Sequence, residues 1–287
     1  MPQCSIRRSS PLQASTELES HTIDTVLGRL RVRVGGAGQA LMFWPSLIMD
    51  GDMWLAQARH FASRYRVILV DSPGHGDSES LRRLFTFGEC VQCITQILDA
   101  LGIGRAHYVG NSWGGMIGGT FAAREPQRIG AAVLMNCTAS PCTLRQKLEY
   151  LLLTRLLWTL DRVPGFLTGK VVAAFIGPST KRERPQVEQA IRATVSRIRP
   201  RSVYWAIRSV VPYRPDQHAV VAGIGTPVLV VAGEEDQTFP VAETRAMADS
   251  ITGAEFVVMP RTAHLAALER PEEVNALIER FLERHPI

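Results

Sequence analysis

Gly110, Ser112 and Gly114 fall within "HYVGNSWGGMIGG" (107–119) and spell G-x-S-x-G. The residues before the serine read as a strand and those after it as a helix, so Ser112 occupies a tight strand-to-helix turn. Such a turn strains the backbone at the serine and brings together the residues two before and two after it, where glycine avoids a collision. The turn lifts the hydroxyl above the sheet. It also aims the next amide, that of Trp113, at the point where an oxyanion forms, near the positive end of a helix. The chemistry implied is nucleophilic attack on a carbonyl. Because glycine is common, the spacing alone is a weak signal. The flanking strand and helix, with partners in the right chain order, carry the weight.

A serine hydroxyl needs a base, and the base needs an orienting acid. Among the seven histidines, His60 and His285 fall in helical patterns, His21 and His218 at element edges, and His107 at the far end of the strand before Ser112. His75, in "DSPGHGDS", stands near the C-terminal rim of the sheet and remains in contention on position. His264, in "MPRTAHLAALERP", follows the last strand through a short loop, where the chain order Ser…Asp…His places a base. For the acid, "VLVVAGEEDQTFP" ends a strand and offers Glu234, Glu235 and Asp236. Asp236 is the choice and Glu235 the reserve; a merely solvated loop is the alternative for all three.

Positioning these groups requires a sheet whose strands end at one rim. Short apolar runs alternate with amphipathic helical patterns, which predicts a mostly parallel sheet with helices on both faces. "HTIDTVLGRLRVRV" reads as two strands about a turn at Gly28, followed by strands at "ALMFW", "YRVILV", "RAHYVGNS" and "IGAAVLMN". From about Cys137 to Val221 the pattern is helical, punctuated by Pro164, Pro178, Pro185, Pro200 and Pro212. Strand-helix order returns with "TPVLVVAGEED" and "AEFVVMP". The expected organisation is therefore a core over 21–136 and 222–287, a helical insert over 137–221, and a disordered leader over 1–20.

The 287 residues are 46% hydrophobic and 21% charged, a globular balance with no apolar run long enough to span a membrane. The N-terminus lacks the apolar core of a secretion signal. Five cysteines (4, 90, 93, 137, 142) form no disulfide framework, which points to a reducing, cytoplasmic setting. Cys90 and Cys93 make a C-x-x-C on a helical pattern without further zinc ligands, and read as buried helix thiols. Residues 141–220 hold 14 Lys/Arg against 5 Asp/Glu, whereas the whole chain carries only +5. These basic residues lack interleaved aromatics or a recognised reader module, which argues against nucleic-acid binding.

"DSPGHGDS", "GNSWGG", "GEEDQTFP" and "AHLAALERPEEV" together resemble the α/β-hydrolase fold superfamily from about residue 20 onward. The resemblance implies an eight-stranded sheet with a helical cap inserted after the sixth strand. It also implies Ser112 as nucleophile, His264 as base and Asp236 as acid. Some members keep the acid at the end of the sixth strand, where this chain has Asn136. The family usually has His-Gly before its second oxyanion donor; here that dipeptide is Pro45-Ser46, which makes Leu47 the donor alongside Trp113. Serine before leucine also occurs in proteins similar to 3-oxoadipate enol-lactonases. Ser46 either lends its hydroxyl to the oxyanion hole or simply tolerates the turn.

The activity this implies is hydrolysis of a carboxylic ester or lactone through an acyl-serine, without metal or organic cofactor, in a monomer or homodimer. The same motifs also resemble meta-cleavage product hydrolases, which cleave carbon–carbon bonds, and non-catalytic members of the fold are a third class. Dehalogenases and epoxide hydrolases are disfavoured because they place Asp where Ser112 stands. Pocket candidates are Ser46, Asn111, Asn136, Trp158 and Trp205. The apolar stripe Leu148, Leu151, Leu152, Leu156, Leu157 and Trp158 either packs on the body or lines the pocket. Arg192, Arg197, Arg199, Arg201 and Arg208 are either dispersed on solvated faces or include an anchor for an anionic substrate.

Overall fold

The computed structural model describes residues 17–287. Cys4 and most of the expected leader lie outside the described residues. The first strand begins at Glu19, inside the stretch expected as leader.

The elements run β1 (Glu19–Thr25), β2 (Gly28–Gly35), β3 (Gln39–Trp44), α1 (Leu55–Phe61), β4 (Tyr65–Val70), α2 (Phe87–Ala100), β5 (Ala106–Asn111), α3 (Trp113–Arg124) and β6 (Ile129–Met135). Six helices follow without a strand: α4 (Leu144–Leu160), α5 (Gly165–Phe175), α6 (Pro178–Glu183), α7 (Pro185–Arg197), α8 (Pro200–Val210) and α9 (His218–Val221). The chain closes with β7 (Val228–Gly233), α10 (Val241–Asp249), β8 (Glu255–Met259), α11 (Ala266–Glu269) and α12 (Pro271–Glu283).

One eight-stranded sheet has the order β1-β2-β4-β3-β5-β6-β7-β8. β2 runs antiparallel to both neighbours and every other pairing is parallel. Every residue of β5, β6 and β7 is buried, as parallel strands covered on both faces require. Alternate strand residues build two cores. Met42, Ile68, Tyr108, Leu134 and Val230 pack with α2 and α3 on one face. Leu41, Leu69, Val109, Val133 and Val231 pack with α1 and α12 on the other.

The insert is the expected helical cap after the sixth strand. Pro178, Pro185 and Pro200 each open a helix, where a fixed φ and a missing N–H cost nothing, and Pro164 caps α5. Thr143 and Gln146 close a capping box at the start of α4. The apolar stripe of α4 matches neither expectation in full. Leu148, Leu152 and Leu156 are 55%, 74% and 44% exposed, because the apolar residues of α4 are spread around its axis and the helix packs chiefly on α8 of the cap. No described helix is long and apolar enough to cross a membrane.

Cys90 and Cys93 sit side by side in α2, both buried, and burial raises the Cys93 thiol to about 11. Such thiols stay protonated and inert at neutral pH.

Candidate active site

The parallel strands deliver their following loops to one rim. At the end of β5, Ser112 has φ 55° and ψ −114°, a conformation L-residues rarely adopt. Its N–H donates to the Met135 carbonyl of β6 at 2.8 Å, which ties the turn to the next strand. A Cβ on Gly110 would overlap the Gly114 carbonyl, and a Cβ on Gly114 would overlap the Trp44 carbonyl at the end of β3. Both glycines of the motif are thus required by close backbone approach. The first acts across the turn, and the second acts against the neighbouring loop.

Of the three acidic residues after β7, the structure uses each differently. Glu234 accepts from the Arg261 amide at 3.0 Å. Glu235 accepts from the Ser179 amide (3.0 Å) and hydroxyl (2.6 Å), pinning the start of α6 to the body. Asp236 is buried and accepts from His264 Nδ1 (2.9 Å), Asn136 Nδ2 (3.2 Å) and the Thr238 and Phe239 amides (2.8 and 3.1 Å). A carboxylate only accepts here, so His264 carries a proton on Nδ1, and in the neutral imidazole Nε2 is then the acceptor. The ring is held between Phe175 of the cap and Phe239, at centroid distances of 5.4 and 5.6 Å.

His264 and Ser112 line the same cavity, of about 310 Å³. Leu47, Ile48 and Met116 line it from the body, and Tyr150, Phe175 and Val210 from the cap. Asp236 thus orients the imidazole, and the Ser112 hydroxyl opens onto the same cavity; among the described residues no hydrogen bond joins the two side chains.

Two further groups hold the rim together. Asn111 Nδ2 donates to Ser46 Oγ and to the His264 carbonyl, both at 2.8 Å. It therefore joins the loop after β3, the serine turn and the histidine loop. Glu269, part of "AHLAALERPEEV" but given no role by the sequence, accepts from the Ala263 and Leu265 amides on either side of His264 (3.1 and 3.0 Å) and from Thr180 of the cap. Burial raises its carboxyl above the usual carboxylate range.

The pocket candidates are redistributed. Asn111, Asn136 and Ser46 are fully buried and none lines the cavity. Asn136 instead donates to Asp236 and to the Ala263 carbonyl. The Ser46 hydroxyl accepts from Asn111 Nδ2 at 2.8 Å and faces the Asn111 carbonyl at 3.5 Å. Trp158 and Trp205 pack with Tyr204 in an aromatic cluster between α4 and α8, away from the cavity. None of the five cap arginines singled out in the sequence lines the cavity either. Arg192 pairs with Glu188 at 2.6 Å, Arg201 with Asp161 at 3.4 Å, and Arg208 with two tyrosine hydroxyls. Arg197 and Arg199 line a separate cavity on the other side of the 45–50 loop.

His75 is the other rim histidine, and it acts on the backbone. Its Nδ1 donates to the Pro73 carbonyl, so Nε2 accepts from the Ile48 amide, each at 3.0 Å. That bond holds the 45–50 loop where Ile48 takes a positive φ of 74°. Burial lowers the His75 pKa from 6.5 to about 4. Between these values the unfolded chain binds a proton that the folded protein refuses. Its stabilising contribution is thus complete above pH 6.5 and lost as pH falls through about 4, a loss on the order of 3 kcal/mol. Denaturant unfolding of His75→Gln from pH 8 to 4 should show a shallower acid decline than the parent protein. Equal slopes would contradict this assignment.

A family model described as the alpha/beta hydrolase fold matches residues 39–271. The chain belongs to the α/β-hydrolase fold family. Among its relatives in that family is a 2-hydroxy-6-oxononadienedioate/2-hydroxy-6-oxononatrienedioate hydrolase of Paraburkholderia phymatum, 30% identical over 94% of this chain and 93% of the relative. The Burkholderia vietnamiensis hydrolase of the same description is 28% identical over 95% of this chain and 94% of its own length. Among solved structures, a thermophilic esterase from Thermogutta terrifontis superposes with a TM-score of 0.85 at 27% identity, covering 93% of this chain and 100% of the esterase. Hydrolase activity of the α/β-hydrolase type is what this family membership supports.

Proposed function

We propose that Ser112, His264 and Asp236 form a catalytic triad that hydrolyses a vinylogous 1,5-diketone at the carbon–carbon bond beside a carbonyl. His264 Nε2 takes the hydroxyl proton as Ser112 Oγ attacks the carbonyl carbon. Asp236 holds the tautomer and offsets the charge on the imidazolium. The Leu47 and Trp113 amides, which donate to no protein group among the described residues, receive the oxyanion. Each such donor contributes about 3–4 kcal/mol. As the tetrahedral intermediate collapses, the carbon–carbon bond breaks. The leaving carbon departs as an enolate conjugated with the remote carbonyl and takes its proton from His264. Water, deprotonated by His264, then cleaves the acyl-Ser112 ester. These steps call for no metal or organic cofactor.

The observation that carries the diketone reading is end-to-end similarity to two hydrolases named for dienedioate substrates, at 28% and 30% identity. The second reading is ester or lactone hydrolysis by the same groups, favoured by the likeness to the Thermogutta esterase. Competing the two substrate types separates them. A yellow 2-hydroxy-6-oxo-dienoate, which becomes the cleavable diketone once its enol proton moves to C5, should be hydrolysed with a kcat/KM at least about a hundredfold above that for a short-chain aryl ester, a margin of about 3 kcal/mol in transition-state binding. The reverse order would assign the protein to ester or lactone hydrolysis.

A further inference from the structure

We propose that Arg214 is the anchor for a substrate carboxylate in the Ser112 cavity, so that the site selects molecules carrying an anionic group away from the bond that breaks. Resting on the proposed hydrolase function, this assigns the substrate's charge class and the residue that reads it.

Arg214 lies between α8 and α9, is buried, and lines the same cavity as Ser112 and His264. Its Nε donates to the Ser140 carbonyl at 2.9 Å, and its guanidinium carbon sits 5.6 Å from the centre of the Phe239 ring. The other side of the site is set by the same phenyl ring, which packs against His264. One aromatic side chain therefore separates the cation from the imidazole.

What distinguishes Arg214 from the other cap arginines is that it is buried on the cavity wall without a counter-ion. Among the described residues no carboxylate stands within ion-pair distance of it, and no protein group accepts from its two terminal nitrogens. Glu243 acts on it only through space, and that carboxylate already accepts from the Thr138 hydroxyl at 2.9 Å. The other cap arginines that are paired meet acids or tyrosine hydroxyls on open faces. A buried cation without a partner is unfavourable in the empty protein, and the cost is recovered when an anion arrives. A guanidinium oriented by its Nε presents a planar fork that matches a carboxylate in two parallel hydrogen bonds.

The test pairs phenyl hemiesters of succinate, glutarate and adipate with their methyl-capped, uncharged counterparts. In the parent protein the charged member of at least one pair should be preferred by about tenfold or more in kcat/KM, chiefly through KM. That ratio should fall to near one in Arg214→Gln and to an intermediate value in Arg214→Lys, which keeps the charge and loses the fork. Arg192→Gln removes an equal charge from an exposed ion pair and should keep the ratio, which separates a local anchor from general attraction of anions.

Binding supplies a readout independent of turnover. Ser112→Ala should take up the free dicarboxylate whose hemiester is preferred, with a rise in Tm, and Ser112→Ala/Arg214→Gln should not. No charge preference in any pair, a preference surviving in Arg214→Gln, or uptake by the double variant would each overturn the anchor. Uptake through Arg214 with no hydrolysis of any ester or dienoate would sink the hydrolase function and leave the anchor standing.

Discussion

Ser112→Ala should lower kcat by on the order of a millionfold while leaving the fold intact. The hydroxyl is the only atom removed, and it is engaged in no hydrogen bond that supports the turn. The tie to β6 runs through the Ser112 backbone N–H, which alanine retains. The positive φ is carried by the backbone geometry around two glycines, and it costs alanine about as much as serine. Thermal unfolding should shift by no more than a few degrees, and KM should change little because the hydroxyl acts in the transition state and not in holding the ground state. A variant with more than a tenth of the parent kcat would remove Ser112 from the mechanism.

Asp236→Asn should cost about ten-thousandfold in kcat. The reason lies in what surrounds the carboxylate. The Thr238 and Phe239 amides hold Oδ1, so an asparagine there turns its oxygen toward them and its NH2 toward His264. That NH2 meets the Nδ1 proton and forces the other tautomer, which places a hydrogen on Nε2 facing Ser112. It also faces Asn136 Nδ2, a second donor opposed to a donor. Asn136 offers a direct check, since it directly follows β6, donates to Asp236 at 3.2 Å and already takes a left-handed φ that aspartate tolerates. Adding Asn136→Asp to Asp236→Asn should restore kcat by about tenfold or more, because the carboxylate returns from the neighbouring side. A double variant no better than Asp236→Asn would show that the direction of approach to Nδ1 matters more than the charge.

The parts of this site that were legible in the sequence are those where a backbone demand leaves a residue signature. The strained turn at Ser112 requires glycine on both sides, and parallel strands buried on both faces read as unbroken apolar runs. Chain order then led to Asp236 and His264. Side-chain direction within the cap was not legible. Charge counts marked the insert as basic but could not say which arginine turns inward. Arg214, just past α8, faces the cavity, whereas the five arginines on or beside α7 and α8 do not line it. The α4 stripe shows the same limit, since a helix whose apolar residues are spread around its axis does not specify which face is covered. Asn111 and Ser46 read as pocket residues because they adjoin the turn and the oxyanion loop. Their hydrogen bond spans 65 positions of sequence, and no local pattern reports it. Glu269 stands inside "AHLAALERPEEV", but its role is to accept from the amides on either side of His264, and no spacing rule reports a backbone contact of that kind.

Labelling with a fluorophosphonate bears most directly on the claim that the Asp236–His264 pair activates the Ser112 hydroxyl. The account predicts one adduct per chain, located by peptide mass at Ser112, absent in Ser112→Ala and strongly slowed in His264→Ala. An adduct at another residue, or a rate of labelling indifferent to loss of the imidazole, would contradict it.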